Sequence, residues 1–170
     1  MKLHIFLIGM MGCGKSTIGR QLAAQLNLPF LDLDDDIAAF EGRTIPEIFA
    51  AVGDAGFRVC ETAALRRACS SPACIVATGG GIITREENIA LLRGHGLVVW
   101  LNRPLEAMIA DVRQDTRPNL AGDKEERMRT LFAAREALYR RAAHLEFVNC
   151  RMPDQDAAQL ARLICAQQPD

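Results

Sequence analysis

The 170-residue chain carries no excess of charge of either sign, because 20 basic and 21 acidic side chains leave a formal net charge of -1. A nucleic-acid-binding coat, a polybasic membrane face and an acidic tail are therefore not expected. No stretch approaches the ~20 consecutive apolar residues of a membrane span. The short apolar start runs directly into a glycine-rich motif and is not expected to be an export signal. The sequence predicts a soluble, cytoplasmic protein.

Thiol pairs and lysines are also scarce. The six cysteines form no Cys-x-x-Cys pair and no histidine stands at a zinc-site spacing, so a thiolate metal centre is not expected and the thiols should be reduced. Only 3 of the 20 basic residues are Lys. The other 17 are Arg, whose rigid planar fork suits carboxylates and phosphates. Most of this excess is expected to be compositional, so only arginines at particular positions are functional candidates.

Short apolar runs alternate with helical patterns along the whole chain. This alternation predicts an α/β fold in three αβα layers, with a five-stranded parallel sheet in one domain over residues 1–170. A segment with Pro and Gly but no apolar periodicity, residues 113–122, predicts a surface loop, and periodicity leaves open whether this loop is a plain connection or a moving lid. The strands are expected at residues 3–8, 29–33, 74–77, 97–101 and 145–148, and the clearest helices at 17–26, 85–93 and 124 to about 142.

The most specific motif is the glycine-rich segment of residues 9–16, which matches G-x-x-x-x-G-K-[ST] between a predicted strand and a predicted helix. In such a loop, backbone N–H groups surround phosphate oxygens, Lys15 reaches the β- and γ-phosphates and the Ser16 hydroxyl ligates Mg²⁺. Cys13 occupies a position where only the backbone is needed. Its place before a helix N-terminus suggests an accessible, reactive thiol, which we treat as a side hypothesis.

Two further clusters follow predicted strands. Asp32 and Asp34 come after the second strand, and a run of three glycines, 79–81, comes after the third. In open parallel sheets ligands gather at the carboxyl ends of strands, so both clusters should share one mouth with the phosphate loop. One carboxylate there suits a Mg²⁺ site and another suits proton transfer from a hydroxyl. The glycines allow close backbone approach to a ligand.

Taken together, these motifs resemble the shikimate kinase family of phosphate-loop kinases. The resemblance runs in order from about residue 3 to residue 162. It rests on the loop of residues 9–16, the Asp-x-Asp of 32–34, residues 42–45 with 48 and 49, Gly53 to Arg58 with Glu61, residues 78–81, Arg117-Pro118, and Arg135 with residues 138–140.

The resemblance implies a fold like that of P-loop NTPases and nucleoside monophosphate kinases, with a mobile lid loop over about residues 112–123. It also implies transfer of the ATP γ-phosphoryl group to the 3-hydroxyl of shikimate, with Mg²⁺, ATP or ADP and shikimate as partners and the chain acting as a monomer. A helical segment over about 34–62 should bind the substrate.

Residue by residue, the resemblance assigns three kinds of role. The expected catalytic residues are Asp34, Lys15 and Arg117. The substrate is held by Asp34, Arg58, Gly79, Gly80, Gly81 and Arg135, and the metal by Ser16 and Asp32. The nucleotide is held by Gly12, Cys13, Gly14, Lys15, Ser16, Thr17 and Arg117, with Arg113 and Arg151 near the adenine.

Two alternatives stay open at this level. One is a related kinase acting on gluconate or a nucleoside monophosphate, which would share the phosphate loop but would not explain Arg58, Arg135 and the triple glycine together. The other is a regulatory module that binds nucleotide without phosphorylating anything. Modules of that sort usually lose the acceptor-side carboxylate or the loop lysine, and this chain has both Asp34 and Lys15.

Overall fold

A computed structural model describes residues 3–115, 118–150 and 152–167, but not the side chains of residues 112–123 and 167. Its centre is a five-stranded sheet in the order β2-β3-β1-β4-β5, and every neighbouring pair is parallel. The predicted parallel sheet is thereby confirmed. The strands are β1 (His4–Ile8), β2 (Phe30–Asp32), β3 (Ile75–Ala77), β4 (Gly96–Leu101) and β5 (Leu145–Phe147).

Helices cover both faces of the sheet, as the αβα prediction requires. Helix α1 packs on α7, and α4 packs on α3 and α6. A short 3-10 helix, Ile82–Thr84, precedes α4. The helices are α1 (Lys15–Leu26), α2 (Leu33–Glu41), α3 (Ile45–Cys69), α4 (Glu86–His95), α5 (Leu105–Asp115), α6 (Pro118–Ala142) and α7 (Pro153–Gln167).

Helix α3 carries two local signals that explain its shape. It begins with a capping box, in which the Thr44 hydroxyl accepts from the Glu47 N–H and the Glu47 carboxylate accepts from the Thr44 N–H. It is interrupted at Gly53, whose φ of 69° lies in the left-handed region. The second stretch of α3, after this interruption, carries Arg58 and Glu61 toward the carboxyl end of the sheet.

The expected surface loop over residues 113–122 is wrong for the backbone that the structure describes. Helix α5 continues to Asp115 and α6 begins at Pro118. A proline at the first helical position needs no hydrogen bond and has the φ angle that a helix requires, so Pro118 starts a helix. Gly122 then lies inside α6, where a single glycine costs only about 1 kcal/mol relative to alanine.

The buried core lies around the sheet. Every residue of β1 is buried, and Trp100 of β4 stacks on Tyr139 of α6 with 5.8 Å between ring centroids. All six cysteines are free thiols. Within the described ranges, no helix combines the length and the apolar character that crossing a membrane requires. The packed sheet thus holds the ends of β1, β2 and β3 in fixed positions, and the functional candidates follow those ends.

Candidate active site

The phosphate-loop motif forms the turn between β1 and α1. Gly9 and Gly14 have φ angles of 146° and 94°, which L side chains rarely adopt, and a side chain at Gly9 would also collide with the Leu101 carbonyl. Lys15 begins α1 and is buried. Its ammonium donates to the carbonyl oxygens of Gly9 at 2.9 Å and Met10 at 2.7 Å. The lysine side chain therefore lies along the loop, and its contact with the β- and γ-phosphates stays a prediction.

The Cys13 thiol lies beneath the loop rather than at the surface. The residue is 0% exposed, and its Sγ atom is 3.6 Å from the Lys15 ammonium. Gly9 leaves the room for this sulfur, because an added Cβ there would lie 2.8 Å from it. The expectation of an accessible thiol at Cys13 is wrong, since the loop turns this side chain inward and leaves only its backbone for a ligand.

Ser16 and Asp32 meet as predicted. The Ser16 hydroxyl donates to Asp32 Oδ2 at 2.5 Å, and Asp32 Oδ1 accepts from the Asp34 N–H at 3.1 Å. Asp32 thus caps α2 while its carboxylate faces the phosphate loop. The result is a pair of hard oxygen donors beside the loop, which suits a magnesium ion that takes its other ligands from phosphates and water.

Asp34 lies in the same cleft with an altered acidity. Burial, and next the neighbouring Asp32 carboxylate, raise the pKa of Asp34, while Lys15 opposes the shift. The cleft has a volume of about 480 Å³. Its walls come from the loop, the start of α2 and the segment after β3: Met11, Gly12, Gly14, Lys15, Ser16, Thr17, Asp32, Asp34, Asp35, Thr78, Gly79 and Gly80.

Arg58 is held in place by two acidic residues of its own helix. Its Nη1 donates to Glu61 at 2.5 Å and its Nη2 donates to Asp54 at 3.0 Å. The two partners differ sharply, because the Glu61 side chain is 1% exposed and that of Asp54 is 72% exposed. Burial raises the pKa of Glu61, and the Arg58 guanidinium opposes that rise. Glu61 therefore orients the Arg58 guanidinium from its buried side. The i, i+3 spacing of the two residues on a helix could have indicated this role.

The triple glycine passes between these groups. An added Cβ at Gly79 would collide with the Glu61 carboxylate and lie 3.5 Å from Asp34 Oδ1, and one at Gly81 would collide with the Arg58 guanidinium. An added Cβ at Gly80 would lie 3.3 Å from the Met11 N–H nitrogen in the phosphate loop. The predicted meeting of the Asp-x-Asp segment, the glycines and the loop is thus observed.

Tyr139 connects the glycine segment to α6. Its hydroxyl donates to the Gly80 carbonyl at 2.5 Å. Burial raises the pKa of Tyr139, and the positive charges of Arg135 and Arg58 oppose this. Both predicted substrate-binding arginines therefore act through their charge on the same buried hydroxyl, although they come from different helices. Tyr139 is among the residues that carry the family resemblance but was given no role from the sequence, although its i, i+4 spacing from Arg135 was an available signal.

A second cleft of about 570 Å³ lies on the other side of the phosphate loop, with Gly12, Cys13, Gly14 and Thr17 in its wall. Two residues there were not singled out from the sequence. Arg103 donates to the Gly12 carbonyl at 3.0 Å and pairs with Asp111 at 2.6 Å. The Asn149 amide donates to the Cys13 carbonyl at 2.8 Å. Of the predicted nucleotide-binding residues, Arg117 and Arg151 lie outside the described residues, as does the Arg113 side chain.

Comparison with known proteins decides between the kinases that this geometry allows. The family model for shikimate kinase matches residues 11–165. The chain belongs to the shikimate kinase family. A curated shikimate kinase from Neisseria meningitidis serogroup C is 44% identical over 151 residues, which cover 86% of this chain and 89% of that protein. One from Nostoc is 42% identical over 165 residues, which cover 95% of this chain and 91% of that protein.

A solved structure supports the same assignment. The shikimate kinase from Acinetobacter baumannii, solved in complex with shikimate, has a TM-score of 0.90 and 38% sequence identity. The match covers 100% of this chain and 97% of that one. The resemblance, the fold class and the kinase class predicted from the sequence are thereby confirmed. The reaction of the shikimate kinase family is phosphorylation of shikimate by ATP.

Proposed function

We propose that this chain transfers the γ-phosphoryl group of ATP to the 3-hydroxyl of shikimate, giving shikimate 3-phosphate and ADP on the route to chorismate and the aromatic amino acids. The observation that carries the proposal is the approach of Gly79–Gly81 to three groups at once: the phosphate loop, Asp34 and the Arg58–Glu61 pair. A donor site and an acceptor site thus share one cleft, and phosphoryl transfer requires that arrangement.

The phosphate loop forms the donor end of this site. Backbone N–H groups of Gly12, Cys13 and Gly14 and of the first turn of α1 bind the phosphates, with Lys15, Ser16 and Thr17 at that helix N-terminus. The Lys15 ammonium moves from the carbonyls of Gly9 and Met10 to the β- and γ-phosphates. Arg117, Arg113 and Arg151 complete the nucleotide site according to the family resemblance.

A magnesium ion fits beside this end. The hydroxyl of Ser16 and the carboxylate of Asp32 are hard oxygen donors 2.5 Å apart, and magnesium in kinases takes one or two protein oxygens together with phosphates and water. Ser16 and Asp32 would hold this ion, which would neutralise negative charge on the phosphates. Asp32 also caps α2, so its position is set by the backbone before any ion binds.

The acceptor end recognises a carboxylate and places a hydroxyl. Arg58 and Arg135 hold the substrate carboxylate, because a planar guanidinium pairs with a carboxylate in a fixed bidentate geometry. Gly79, Gly80 and Gly81 let the substrate ring approach the backbone. The helical segment over 34–62, which includes nearly all of α2 and most of α3, supplies Asp34 and Arg58 and is the substrate-binding segment.

Asp34 accepts the proton of the attacking hydroxyl. The raised pKa of Asp34 is closer to neutral pH than the pKa of an exposed aspartate. The ionised carboxylate of Asp34 is therefore a stronger base than that of an exposed aspartate. It lies in the same cleft as the loop, Ser16 and Gly79. Positioning and charge neutralisation supply most of the rate, because phosphoryl transfer needs little covalent chemistry from a protein.

Residues 112–123 form a lid that brings Arg117 onto the phosphates and excludes water, which otherwise competes as the acceptor. The described backbone of this segment belongs to the end of α5 and the start of α6 rather than to the loop first expected. We further propose, from the family resemblance, that the chain acts as a monomer, and its six free thiols suit the reducing environment of the cytoplasm.

A coupled assay of ADP release tests the function. Purified protein is mixed with ATP and Mg²⁺, then with shikimate, gluconate or AMP, and the product is identified by mass spectrometry. ADP release that depends on shikimate, together with shikimate 3-phosphate, is the expected result. Release with gluconate or AMP alone would point to the related kinases, and ATP binding without turnover would point to the regulatory module. Lys15→Met should abolish transfer.

A further inference from the structure

Asn149 lies just after β5, yet it contacts the phosphate loop that follows β1. The residue is 4% exposed, and its amide nitrogen donates to the Cys13 carbonyl at 2.8 Å across a sequence separation of 136 residues. An added Cβ at Gly14 would lie 3.8 Å from the same nitrogen. The amide of Asn149 therefore lies directly along the peptide that joins Cys13 to Gly14.

The orientation of this amide is determined by its neighbour. The Cys13 carbonyl only accepts hydrogen bonds, so the nitrogen of Asn149 must face it. The amide oxygen, Oδ1, is buried and has no hydrogen-bond partner among the described residues. An unpaired buried acceptor destabilises a fold. The unpaired oxygen does not distinguish Asn149, since Asn88 has one as well, and what sets Asn149 apart is the contact of its nitrogen with the phosphate loop.

The contact acts on the loop through the geometry of the peptide bond. A trans peptide is planar, so its C=O and N–H groups point in opposite directions. Holding the Cys13 carbonyl toward Asn149 therefore directs the N–H of Gly14 away from Asn149. Gly14 lies in the wall of both clefts, and Asn149 only in the wall of the second. Turned away from Asn149, the N–H of Gly14 is available to an anion in the first cleft.

One other carbonyl of the loop is held in the same manner, since Arg103 binds that of Gly12. A carbonyl oxygen that faced a phosphate would repel it, so a side chain that holds the carbonyl elsewhere keeps the loop suited to an anion. Asn149 differs from Arg103 because it is neutral, so its effect is one of orientation alone.

We propose that Asn149 is a positioning residue for nucleotide binding, which holds the Cys13–Gly14 peptide so that the Gly14 N–H binds a phosphate of ATP. The inference rests on the proposed nucleotide site and adds to it a residue from the far end of the chain. In this proposal, Asn149 does not contact the adenine base of the nucleotide.

Asn88 provides a matched control. It is also buried, its amide nitrogen also donates to a backbone carbonyl, that of Ile82 at 3.0 Å, and its oxygen is also unpaired. That contact lies beside the segment after β3 rather than on the phosphate loop. Replacing either asparagine by leucine removes the same bond and the same orphan oxygen, so the two variants should change thermal stability by similar amounts.

The test measures steady-state kinetics and the calorimetric Kd for ADP. Asn149→Leu should raise the ATP KM and the ADP Kd by about tenfold and leave the shikimate KM within about twofold of wild type. Asn88→Leu should leave the ATP KM and the ADP Kd within about twofold of wild type. Because ATP and GTP share the triphosphate, Asn149→Leu should lower kcat/KM for both by the same factor.

Three results would overturn the proposal: unchanged ADP affinity in folded Asn149→Leu, an equal loss of ADP affinity in Asn88→Leu, or a loss confined to adenine nucleotides, which would indicate a contact with the base. If Asn149→Leu does not fold, Asn149→Ser removes the contact with a smaller change of shape and is judged by the same measurements. A wild-type chain that failed to bind ADP would instead contradict the nucleotide site itself, so the two failures are distinguishable.

Discussion

The two partners of Arg58 should have opposite effects on substrate binding when each is made neutral. A substrate carboxylate needs the outward side of the guanidinium, where Nη2 is paired with the exposed Asp54. The substrate carboxylate does not contact the inward side of the guanidinium, where Nη1 is paired with the buried Glu61. The substrate should therefore displace Asp54 and rely on Glu61. Glu61→Gln and Asp54→Asn each remove one negative charge and keep the shape of the side chain, so they form a matched pair.

The magnitudes follow from the burial of each pair. A hydrogen bond to a charged group contributes about 1.5–3 kcal/mol and a neutral one about 1 kcal/mol, so Glu61→Gln should weaken the hold on Arg58 by about 1–2 kcal/mol. That difference corresponds to an increase of about 5- to 30-fold in the shikimate KM. An exposed pair contributes at most about 1 kcal/mol, so Asp54→Asn should lower the shikimate KM by up to about fivefold.

Steady-state kinetics with each substrate varied in turn measures both effects. The ATP KM should stay within about twofold of wild type in both variants, since neither residue contacts the phosphate loop. Thermal unfolding provides the check on stability, where Glu61→Gln should lower Tm by about 2–4 °C for each kcal/mol lost and Asp54→Asn should change it little. A shikimate KM for Glu61→Gln equal to that of wild type, or an increase for Asp54→Asn as large as that for Glu61→Gln, would refute the reasoning.

Four further changes probe the rest of the site. Asp34→Asn should lower kcat severely while the Kd for ATP stays near wild type, and comparable turnover would remove Asp34 from its role as base. Asp35→Asn removes a negative charge that raises the pKa of Asp34, so the acid limb of kcat/KM, where activity is lost as pH falls through that pKa, should move to lower pH; an unmoved limb argues against Asp34 as the titrating group. Tyr139→Phe removes the hydrogen bond to Gly80 while keeping the ring, so it should lower the free energy of unfolding by about 1 kcal/mol and raise the shikimate KM several-fold. A change in Tm alone would show that Tyr139 contributes only to stability. Arg135→Ala should raise the shikimate KM by more than about tenfold, and an unchanged KM would reject its contact with the carboxylate.

Features that depend on neighbouring residues in the chain were predictable from the sequence. The phosphate loop, the Asp-x-Asp segment and the triple glycine each follow a strand, and the rule that ligands gather at the carboxyl ends of parallel strands was enough to bring them together. The structure adds the atoms that meet, such as Ser16 with Asp32. It also gives the reason that Gly79 and Gly81 must be small, which is the packing of Glu61 and Arg58 against them.

Features that depend on distant contacts were not predictable. Asn149 carries no local signal, because its partner Cys13 lies 136 residues earlier. The burial of Cys13 depends on space left by Gly9, which a motif does not describe. The expected loop at 113–122 is wrong for a different reason, since a proline can begin a helix as well as interrupt one, and Pro118 begins α6.

The contact between Asn149 and Cys13 also sets an order of events on the ribosome. At about 5–20 residues per second, a separation of 136 residues means that Asn149 is added roughly 7 to 27 seconds after Cys13. During that interval the nascent chain contains the complete phosphate-loop sequence without the side chain that holds its Cys13 carbonyl. Nucleotide in the cell therefore cannot stabilise the growing chain by binding to a fully oriented loop, and that stabilisation begins only once β5 and the residues after it have been made.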